Sequence, residues 1–185
     1  MNARRQKLTQ FYYQNKIAGV ELLIDNVWDP HNVAAVSRTA DGLGISLIHL
    51  YYTYNSCPSL VRKGHKSSAG AARWMRYQPI EDLDEFVRLK KANGTIFLAS
   101  QKVEGAKDLT LYKFPPKVIL MLGSESKGIS PELMAIADHD LFIPMVGMAE
   151  SYNISVAAAL CMYEIFKQRK TELDLETLDK LRGER

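Results

Sequence analysis

Short apolar segments alternate with helical segments along most of the chain, and this alternation constrains the fold more than any other feature of the sequence. Strands that alternate with helices form α/β folds with a mainly parallel sheet. The predicted strands lie within "GVELLIDNV", "ISLIHLYY", "RWMRYQ", "TIFLAS", "KVILMLG" and "DLFIPM". The predicted helices lie within "NARRQKLTQFYYQN", "DPHNVAAVSRTADGLG", "IEDLDEFVRLKKANG" and "SYNISVAAALCMYEIFKQRK", with a short helix that Ser130 caps and Pro131 begins. We therefore expect one α/β domain with short helices at both termini.

The composition is typical of a folded domain and excludes several classes of protein. The chain has 185 residues, of which 46% are hydrophobic and 24% are charged, enough for one ordinary domain. No apolar run approaches the length that spans a membrane, and the basic N-terminal segment lacks the apolar region of a signal peptide. A formal net charge of +3 permits a nucleic-acid partner without requiring one.

The cysteines and histidines predict neither a disulfide framework nor a metal site. Cys57 and Cys161 are far apart in the sequence and have no metal-ligand spacing around them. The histidines are equally scattered, at His31, His49, His65 and His139. A chain with this cysteine usage suits a reducing compartment, so we expect the protein in the cytoplasm.

The turn "GSESKG" follows the apolar run "VILML" and raises the question of a phosphate-binding loop. Such a loop requires the order G-x-x-x-x-G-K-[ST], whereas here the lysine precedes the second glycine. Glu125 also lies in the middle of the turn, where its charge would repel a triphosphate. The glycines of "DGLGIS" end a helix and do not form a dinucleotide fingerprint. A carboxylate at a strand end instead suits a ligand with hydroxyl groups or positive charge.

Two further segments have both a structural and a functional interpretation. Ser151, Asn153 and Ser155 surround the start of the long C-terminal helix, where they either cap the helix or bind an anion at its N-terminus. The loop "GHKSSAGAAR" carries the densest basic cluster, which is either solvated surface or an RNA-backbone contact. Its charged members are Arg62, Lys63, Lys66 and Arg73.

Three stretches taken together carry a more specific signal. "DPHNVAAVSRTADGLGI", "VILMLGSESKGISPEL" and "IPMVGMAESYNISVAAAL" resemble, in order and spacing, the three motifs of the SPOUT methyltransferases of the TrmH type, which methylate ribose 2′-hydroxyls in RNA. The resemblance covers about residues 7–170. It implies an α/β fold with a deep C-terminal trefoil knot, a pocket for S-adenosylmethionine and a homodimer. Two positions depart from the usual pattern, Ser124 for an asparagine and Tyr152 for a leucine.

The resemblance also implies roles for individual residues. The catalytic residues that match the family are Arg38, Asn32, Glu125, Ser151 and Asn153. The positions that would line the cofactor pocket are Ser100, Gly123, Ile143 and Tyr152. An arginine side chain normally stays protonated, so Arg38 either has an unusual environment or positions the ribose while another group takes the proton.

The segments around the motifs predict the domain organisation and the substrate. We expect a helical extension over residues 1–18, the SPOUT domain over 19–170 and a helical tail over 171–185. A short N-terminal helix before the first motif is similar to the tRNA-modifying members, so we expect methylation of a guanosine in the tRNA D-loop. The alternatives are ribosomal RNA, another tRNA position such as the wobble nucleotide, a silent RNA-binding protein, and a Rossmann-type methyltransferase or dehydrogenase.

Overall fold

The computed structural model of the protein describes residues 3–58, 74–169, 180 and 183. The helices are α1 (Ala3–Gln14), α2 (Pro30–Gly42), α3 (Leu83–Ala92), α4 (Pro131–Met134) and α5 (Ile154–Arg169). The strands are β1 (Val20–Asp25), β2 (Leu47–Tyr51), β3 (Arg76–Pro79), β4 (Ile96–Ser100), β5 (Lys107–Asp108), β6 (Val118–Leu122) and β7 (His139–Phe142). The predicted basic loop residues Arg62, Lys63, Lys66 and Arg73, and most of the predicted C-terminal tail, lie outside the described residues.

The described strands form one sheet in the order β3-β2-β1-β6-β4-β7-β5, and every neighbouring pair is parallel. The predicted α/β fold with a mainly parallel sheet is therefore confirmed. The sequence analysis missed β5, because its two residues are too few to show a hydrophobic period. Since all strands run the same way, the loops after β1, β2, β4, β6 and β7 meet at one edge of the sheet.

Helices cover both faces of the sheet, because alternate residues of each strand point to opposite sides. Leu22 and Ile24 of β1 pack into the cluster that contains the buried residues of α2 and α5. Leu23 packs on the other face, in the cluster that contains Phe97 and Leu133 and is covered by α3 and α4. All five of these side chains are fully buried. This double burial explains why the central strands read as continuous apolar runs.

The helix that follows β1 begins and ends where its sequence predicts. Asp29 caps α2 by accepting a hydrogen bond from the backbone N–H of His31 at 2.8 Å, and Pro30 occupies the first helical position. The helix ends at Gly42, and Gly44 then adopts a left-handed conformation with φ of +76°. These signals place the N-terminus of α2 directly beside the carboxyl end of β1.

The N-terminal helix is attached to the opposite edge of the sheet. The Tyr12 hydroxyl donates a hydrogen bond to the Trp74 carbonyl at 3.0 Å, and the Ile17 N–H donates to the Gly44 carbonyl at 3.0 Å. Trp74 and Gly44 precede β3 and β2, so α1 lies at the amino ends of these strands. In the part of the chain that the structure describes, no helix has the length and apolar character that crossing a bilayer requires.

Candidate active site

The turn after β6 is a tight hairpin that presents Glu125 to solvent. The backbones of Ser124 and Gly128 exchange two hydrogen bonds, at 3.0 and 2.8 Å. A side chain at Gly123 would meet the Gly128 carbonyl carbon at 2.1 Å, so only glycine allows this close approach. The backbone N–H groups of Ser124 and Gly128 are both hydrogen-bonded within the turn. These two amides are therefore not free to bind a ligand.

Three of the residues predicted to be catalytic form one hydrogen-bonded group, which we call the polar cluster: Asn32, Glu125 and Asn153. The Asn32 side-chain amide donates to Glu125 Oε1. Asn153 Nδ2 donates to Asn32 Oδ1 at 3.2 Å. The three residues come from the first turn of α2, the turn after β6 and the residue before α5. The fold therefore joins all three sequence motifs at the carboxyl edge of the sheet.

Asn153 also has the structural role that its position suggested. Its Oδ1 accepts hydrogen bonds from the Ser155 N–H at 2.9 Å and from the Ser155 hydroxyl at 2.6 Å. Asn153 therefore caps α5 while its amide nitrogen reaches Asn32. The capping interpretation and membership of the polar cluster are thus compatible in one side chain.

A cavity of about 490 Å³ opens beside the polar cluster. Its lining includes Glu125, Ser151 and Asn153 from the predicted catalytic residues, and Ser100, Gly123 and Tyr152 from the predicted cofactor residues. A smaller cavity of about 130 Å³ shares part of this lining and adds Ile143. The four predicted cofactor residues therefore line two cavities with shared walls. The larger volume lies within the range of small-molecule pockets.

Arg38 stands apart from the polar cluster. Its side chain is exposed on α2, and the structure shows no hydrogen bond or ion pair for it among the described residues. It lies six residues after Asn32, or about 9 Å further along the helix axis. The next residue, Thr39, lines an apolar groove between α2 and α5. Within one chain, Arg38 therefore does not contact the other predicted catalytic residues.

Two buried polar residues that the sequence analysis missed hold the edge of the sheet together. Asp25 Oδ2 accepts from the Ser130 N–H at 2.5 Å, and Asp25 Oδ1 accepts from Asn26 Nδ2 at 2.7 Å. Ser130 lies at the N-cap position of α4 as predicted, but its hydroxyl forms no capping bond. Asn26 has a φ of +51°, in the left-handed region that asparagine adopts more readily than most residues. The pair Asp-Asn at the carboxyl end of a strand was the available signal.

Asn26 also fixes the loop after β2. Its Oδ1 accepts three consecutive backbone N–H groups, those of Thr53, Tyr54 and Asn55, at 2.9, 3.1 and 3.2 Å. The Tyr54 hydroxyl lies 3.3 Å from the Ser124 hydroxyl, in the turn that carries Glu125. Ser124, which departs from the usual pattern, therefore contacts the loop after β2.

The structure shows no metal site in the part of the chain that it describes. No group of three or more His, Cys, Asp or Glu side chains is arranged there to hold a metal ion. Glu125 instead belongs to the hydrogen-bonded polar cluster. The cavity beside the polar cluster is lined by carboxylate, amide and hydroxyl groups and by the Lys102 side chain.

Comparison with known proteins identifies the family. The model of the SpoU rRNA Methylase family matches residues 19–163. The chain belongs to this family. The predicted resemblance is confirmed, since the match includes all three motifs and the polar cluster that they form.

Individual members of the family show the same relationship. The tRNA (guanosine(18)-2′-O)-methyltransferase of Escherichia coli is 33% identical over 147 residues, which cover 80% of this chain and 62% of that protein. The enzyme of the same name from Thermus thermophilus is 31% identical over 167 residues, which cover 90% and 84%. A crystal structure of the SpoU methyltransferase AviRb from Streptomyces viridochromogenes, in complex with the cofactor AdoMet, matches with a TM-score of 0.70 at 25% identity and covers 80% and 60%. The chain thus spans less than two thirds of the E. coli relative's length.

Proposed function

We propose that this protein transfers the methyl group of S-adenosylmethionine to a ribose 2′-hydroxyl of RNA. The observation that carries the proposal is the polar cluster of Asn32, Glu125 and Asn153 beside a small-molecule cavity. The relatives from E. coli and T. thermophilus support it, because both are named as tRNA 2′-O-methyltransferases. The proposal extends the family membership to an activity of this chain.

The lining of the cavity fits S-adenosylmethionine, the cofactor named for the AviRb complex. The cofactor supplies a methyl group that its sulfonium charge has already activated. Glu125 and Glu150 place two carboxylates at the cavity wall, which suits a cation, and Lys102 offers a partner for a carboxylate. Leu122 and Ile154 add apolar surface. Ser100, Gly123, Ile143 and Tyr152 are the residues that we assign to holding the cofactor.

Glu125 is the residue best placed to accept the proton of the ribose hydroxyl. The Asn32 amide holds one carboxylate oxygen, and the structure shows no partner for the other oxygen among the described residues. In the transfer, the carbon–sulfur bond breaks, a carbon–oxygen bond forms at the 2′-oxygen, and the 2′-hydroxyl proton moves to Glu125. Asn153 keeps Asn32 oriented, and Ser151 lies at the cavity wall near the reacting groups.

Arg38 has a positioning role in this mechanism. A guanidinium group stays protonated in proteins, so it serves poorly as a base and well as a fork for phosphate oxygens. Arg38 is exposed and has no carboxylate partner among the described residues, which leaves it available for an RNA phosphate. We therefore assign to Arg38 the orientation of the ribose through a neighbouring phosphate.

The RNA that we favour is tRNA, with a guanosine of the D-loop as the target. Both named relatives act on guanosine 18 of tRNA by their names. Unpaired loop nucleotides are also the part of an RNA whose ribose a protein reaches most easily. Ribosomal RNA is the second candidate, because the family is described as the SpoU rRNA Methylase family. The basic residues Arg62, Lys63, Lys66 and Arg73 remain predicted RNA contacts.

A homodimer is part of the proposal and has a candidate interface. Val156, Leu160 and Tyr163 recur at helical spacing on α5, and all three are exposed. They line an apolar groove of about 610 Å³ together with Thr39 and Leu43. A second copy that covers this groove would lie beside Arg38. Leu160→Asp should shift the protein from dimer to monomer in sedimentation, and an unchanged dimer would contradict this interface.

The remaining features of the proposal concern topology, domain limits and location. We propose the deep trefoil knot in the C-terminal part, where the turn after β6 and the segment before α5 both line the cavity. We propose the domain limits 1–18, 19–170 and 171–185, and the start of the family match at residue 19 supports the first of these limits. We place the protein in the cytoplasm, where its RNA substrates are found and where free cysteines such as Cys57 and Cys161 are stable.

The test is transfer of labelled methyl groups from S-adenosylmethionine to unmodified tRNA and, separately, to ribosomal RNA. We expect label in tRNA, no transfer by Arg38→Lys, and equal cofactor affinity of both proteins by calorimetry. Label in ribosomal RNA alone would show that the substrate is ribosomal RNA and would leave the proposed reaction unchanged. Cofactor binding without transfer to either RNA would favour a silent RNA-binding protein, and tight NAD binding would favour a dehydrogenase.

A further inference from the structure

Two large aromatic side chains, which we call the aromatic pair, lie exposed at the edge of the sheet that carries the polar cluster. Trp28 in the loop after β1 is 61% exposed, and Tyr54 in the loop after β2 is 45% exposed. Asp25 and Tyr51 are partners in the parallel register of β1 and β2, and each aromatic residue lies three positions beyond one of them. The aromatic pair therefore leaves the sheet at one edge, from neighbouring strands.

The aromatic pair and the cofactor cavity lie on opposite sides of the polar cluster. Residues that follow β4, β6 and β7 line the two cavities, whereas neither Trp28 nor Tyr54 does. In the sheet order, β1 and β2 lie on one side of β6, whereas β4 and β7 lie on the other side. Glu125 belongs to the turn after β6, between the two groups of strands. A nucleotide whose 2′-hydroxyl reaches Glu125 while the methyl donor fills the cavity therefore extends toward the loops after β1 and β2.

Both loops are held in place before any ligand binds. Asn26 Oδ1 accepts the Tyr54 N–H at 3.1 Å, and the Tyr52 hydroxyl donates to the Val27 carbonyl at 2.7 Å. The first bond holds the backbone of Tyr54 on the Asn26 side chain, and the second holds the backbone next to Trp28 on the Tyr52 side chain. Rings on a fixed backbone lose little conformational entropy when a ligand stacks on them.

A positive charge accompanies one of the rings. The Lys127 ammonium lies 4.3 Å from the centroid of the Tyr54 ring, and Lys127 belongs to the same turn as Glu125. Aromatic rings beside basic side chains are the usual means of binding unpaired nucleotides, with the base on the ring and the phosphate on the cation.

We propose that the aromatic pair forms a stacking surface for an unpaired nucleobase of the RNA substrate, with Lys127 as a contact for an adjacent phosphate. This inference rests on the proposed function, because it takes RNA as the substrate of the polar cluster. It adds a base-contacting site on the β1 and β2 side of the cluster, made of residues other than those that line the cofactor cavity.

The first test is steady-state methyl transfer to unmodified tRNA by Trp28→Ala and Tyr54→Ala. Loss of one base–aromatic stack weakens binding by roughly 5- to 150-fold, so KM for tRNA should rise within that range while kcat and cofactor affinity change little. Trp28→Phe and Tyr54→Phe keep a ring and should restore KM. Tyr13→Ala is the matched control, since Tyr13 is an equally exposed aromatic residue on α1, at the other edge of the sheet.

Two results would overturn the stacking surface. An unchanged KM in both alanine variants would show that no base contacts the rings. Phenylalanine variants as impaired as the alanine variants would assign the effect to polar groups, such as the Tyr54 hydroxyl beside Ser124, and not to stacking.

Lys127→Met should also reduce the dependence of tRNA affinity on salt by about one phosphate contact, and an unchanged salt dependence would remove Lys127 from the site.

A fluorescence measurement separates this inference from the proposed function. The chain has two tryptophans, so Trp74→Phe leaves Trp28 as the sole indole. Stacking predicts that unmodified tRNA quenches the Trp28 emission at concentrations near its KM. Quenching by a protein that transfers no methyl group would contradict the proposed function alone. Methyl transfer without quenching would contradict the stacking surface alone.

Discussion

Replacement of Asn26 by alanine should destabilise the protein strongly, although Asn26 touches no predicted substrate. Its buried side chain takes part in five hydrogen bonds, three to the backbone of Thr53, Tyr54 and Asn55 and two as donor to Asp25 and Thr53. At about 1 kcal/mol net for each bond, discounted because the loop amides can reach water, the loss is about 3–4 kcal/mol. Alanine in the left-handed conformation adds about 1 kcal/mol.

Asn26→Gly separates the two causes. Glycine also loses the five hydrogen bonds, but it adopts positive φ without a steric penalty. Glycine also increases the entropy of the unfolded chain, which costs about 0.5–1 kcal/mol, so we expect Asn26→Gly to be at most about 0.5 kcal/mol more stable than Asn26→Ala. The difference between the two variants therefore measures the backbone strain of alanine less this entropic cost, and their shared loss measures the hydrogen bonds.

The assay is equilibrium urea unfolding, followed by tryptophan fluorescence at one fixed protein concentration. A total loss of about 4–5 kcal/mol is a large share of the 5–15 kcal/mol that is typical of folded domains. A loss below about 1 kcal/mol in Asn26→Ala, close to that of an ordinary surface substitution, would show that these hydrogen bonds contribute little to stability. A glycine variant that is less stable than the alanine variant by the whole entropic cost of about 0.5–1 kcal/mol would contradict the strain contribution alone.

Two further predictions concern titratable groups. Burial alone would raise the pKa of Glu21, but hydrogen bonds from His49 at 2.6 Å and Lys90 at 2.5 Å outweigh it and lower the pKa below the ordinary value of 4.5. The stability that this group contributes is therefore complete above pH 4.5 and is lost as the pH falls through the lowered pKa. In Glu21→Gln, acid unfolding followed by circular dichroism should lose part of its pH dependence. An unchanged unfolding profile would contradict this contribution. Burial raises the pKa of Cys161 to about 11, so iodoacetamide at pH 8 should label Cys161 only after unfolding. Mass spectrometry detects the label. Rapid labelling of Cys161 in the folded protein would contradict its burial.

Much of the fold follows from local signals that act over a few residues. The parallel sheet follows from apolar runs such as that of β6, and the limits of α2 follow from Asp29, Pro30 and the glycines at its end. The short strand β5 does not, because its two residues are ordered by pairing with β7 and not by their own sequence pattern. Local signals thus predict an element when it is long enough to show a hydrophobic pattern or a helix cap.

The candidate site also has some residues that local sequence signals predict and others that they do not. Asn32, Glu125 and Asn153 could be selected from the sequence because each lies in a motif, yet their hydrogen bonds join residues 93 and 121 positions apart. Asp25 and Asn26 were not selected, since their role depends on where the loops after β2 and β6 return in space, and an Asp-Asn pair at a strand end does not specify that. The position of Arg38 beside a groove also depends on how α2 and α5 pack.

We propose that the protein methylates a ribose oxygen of RNA and not a base. The most direct measurement is nucleoside mass spectrometry of unmodified tRNA after incubation with the protein and S-adenosylmethionine, with Glu125→Gln as the comparison. We expect 2′-O-methylguanosine from the wild-type protein and little or none from the variant. Methyl groups found only on nucleobases would contradict ribose methylation, and equal 2′-O-methylguanosine from both proteins would contradict the role of Glu125 as the proton acceptor.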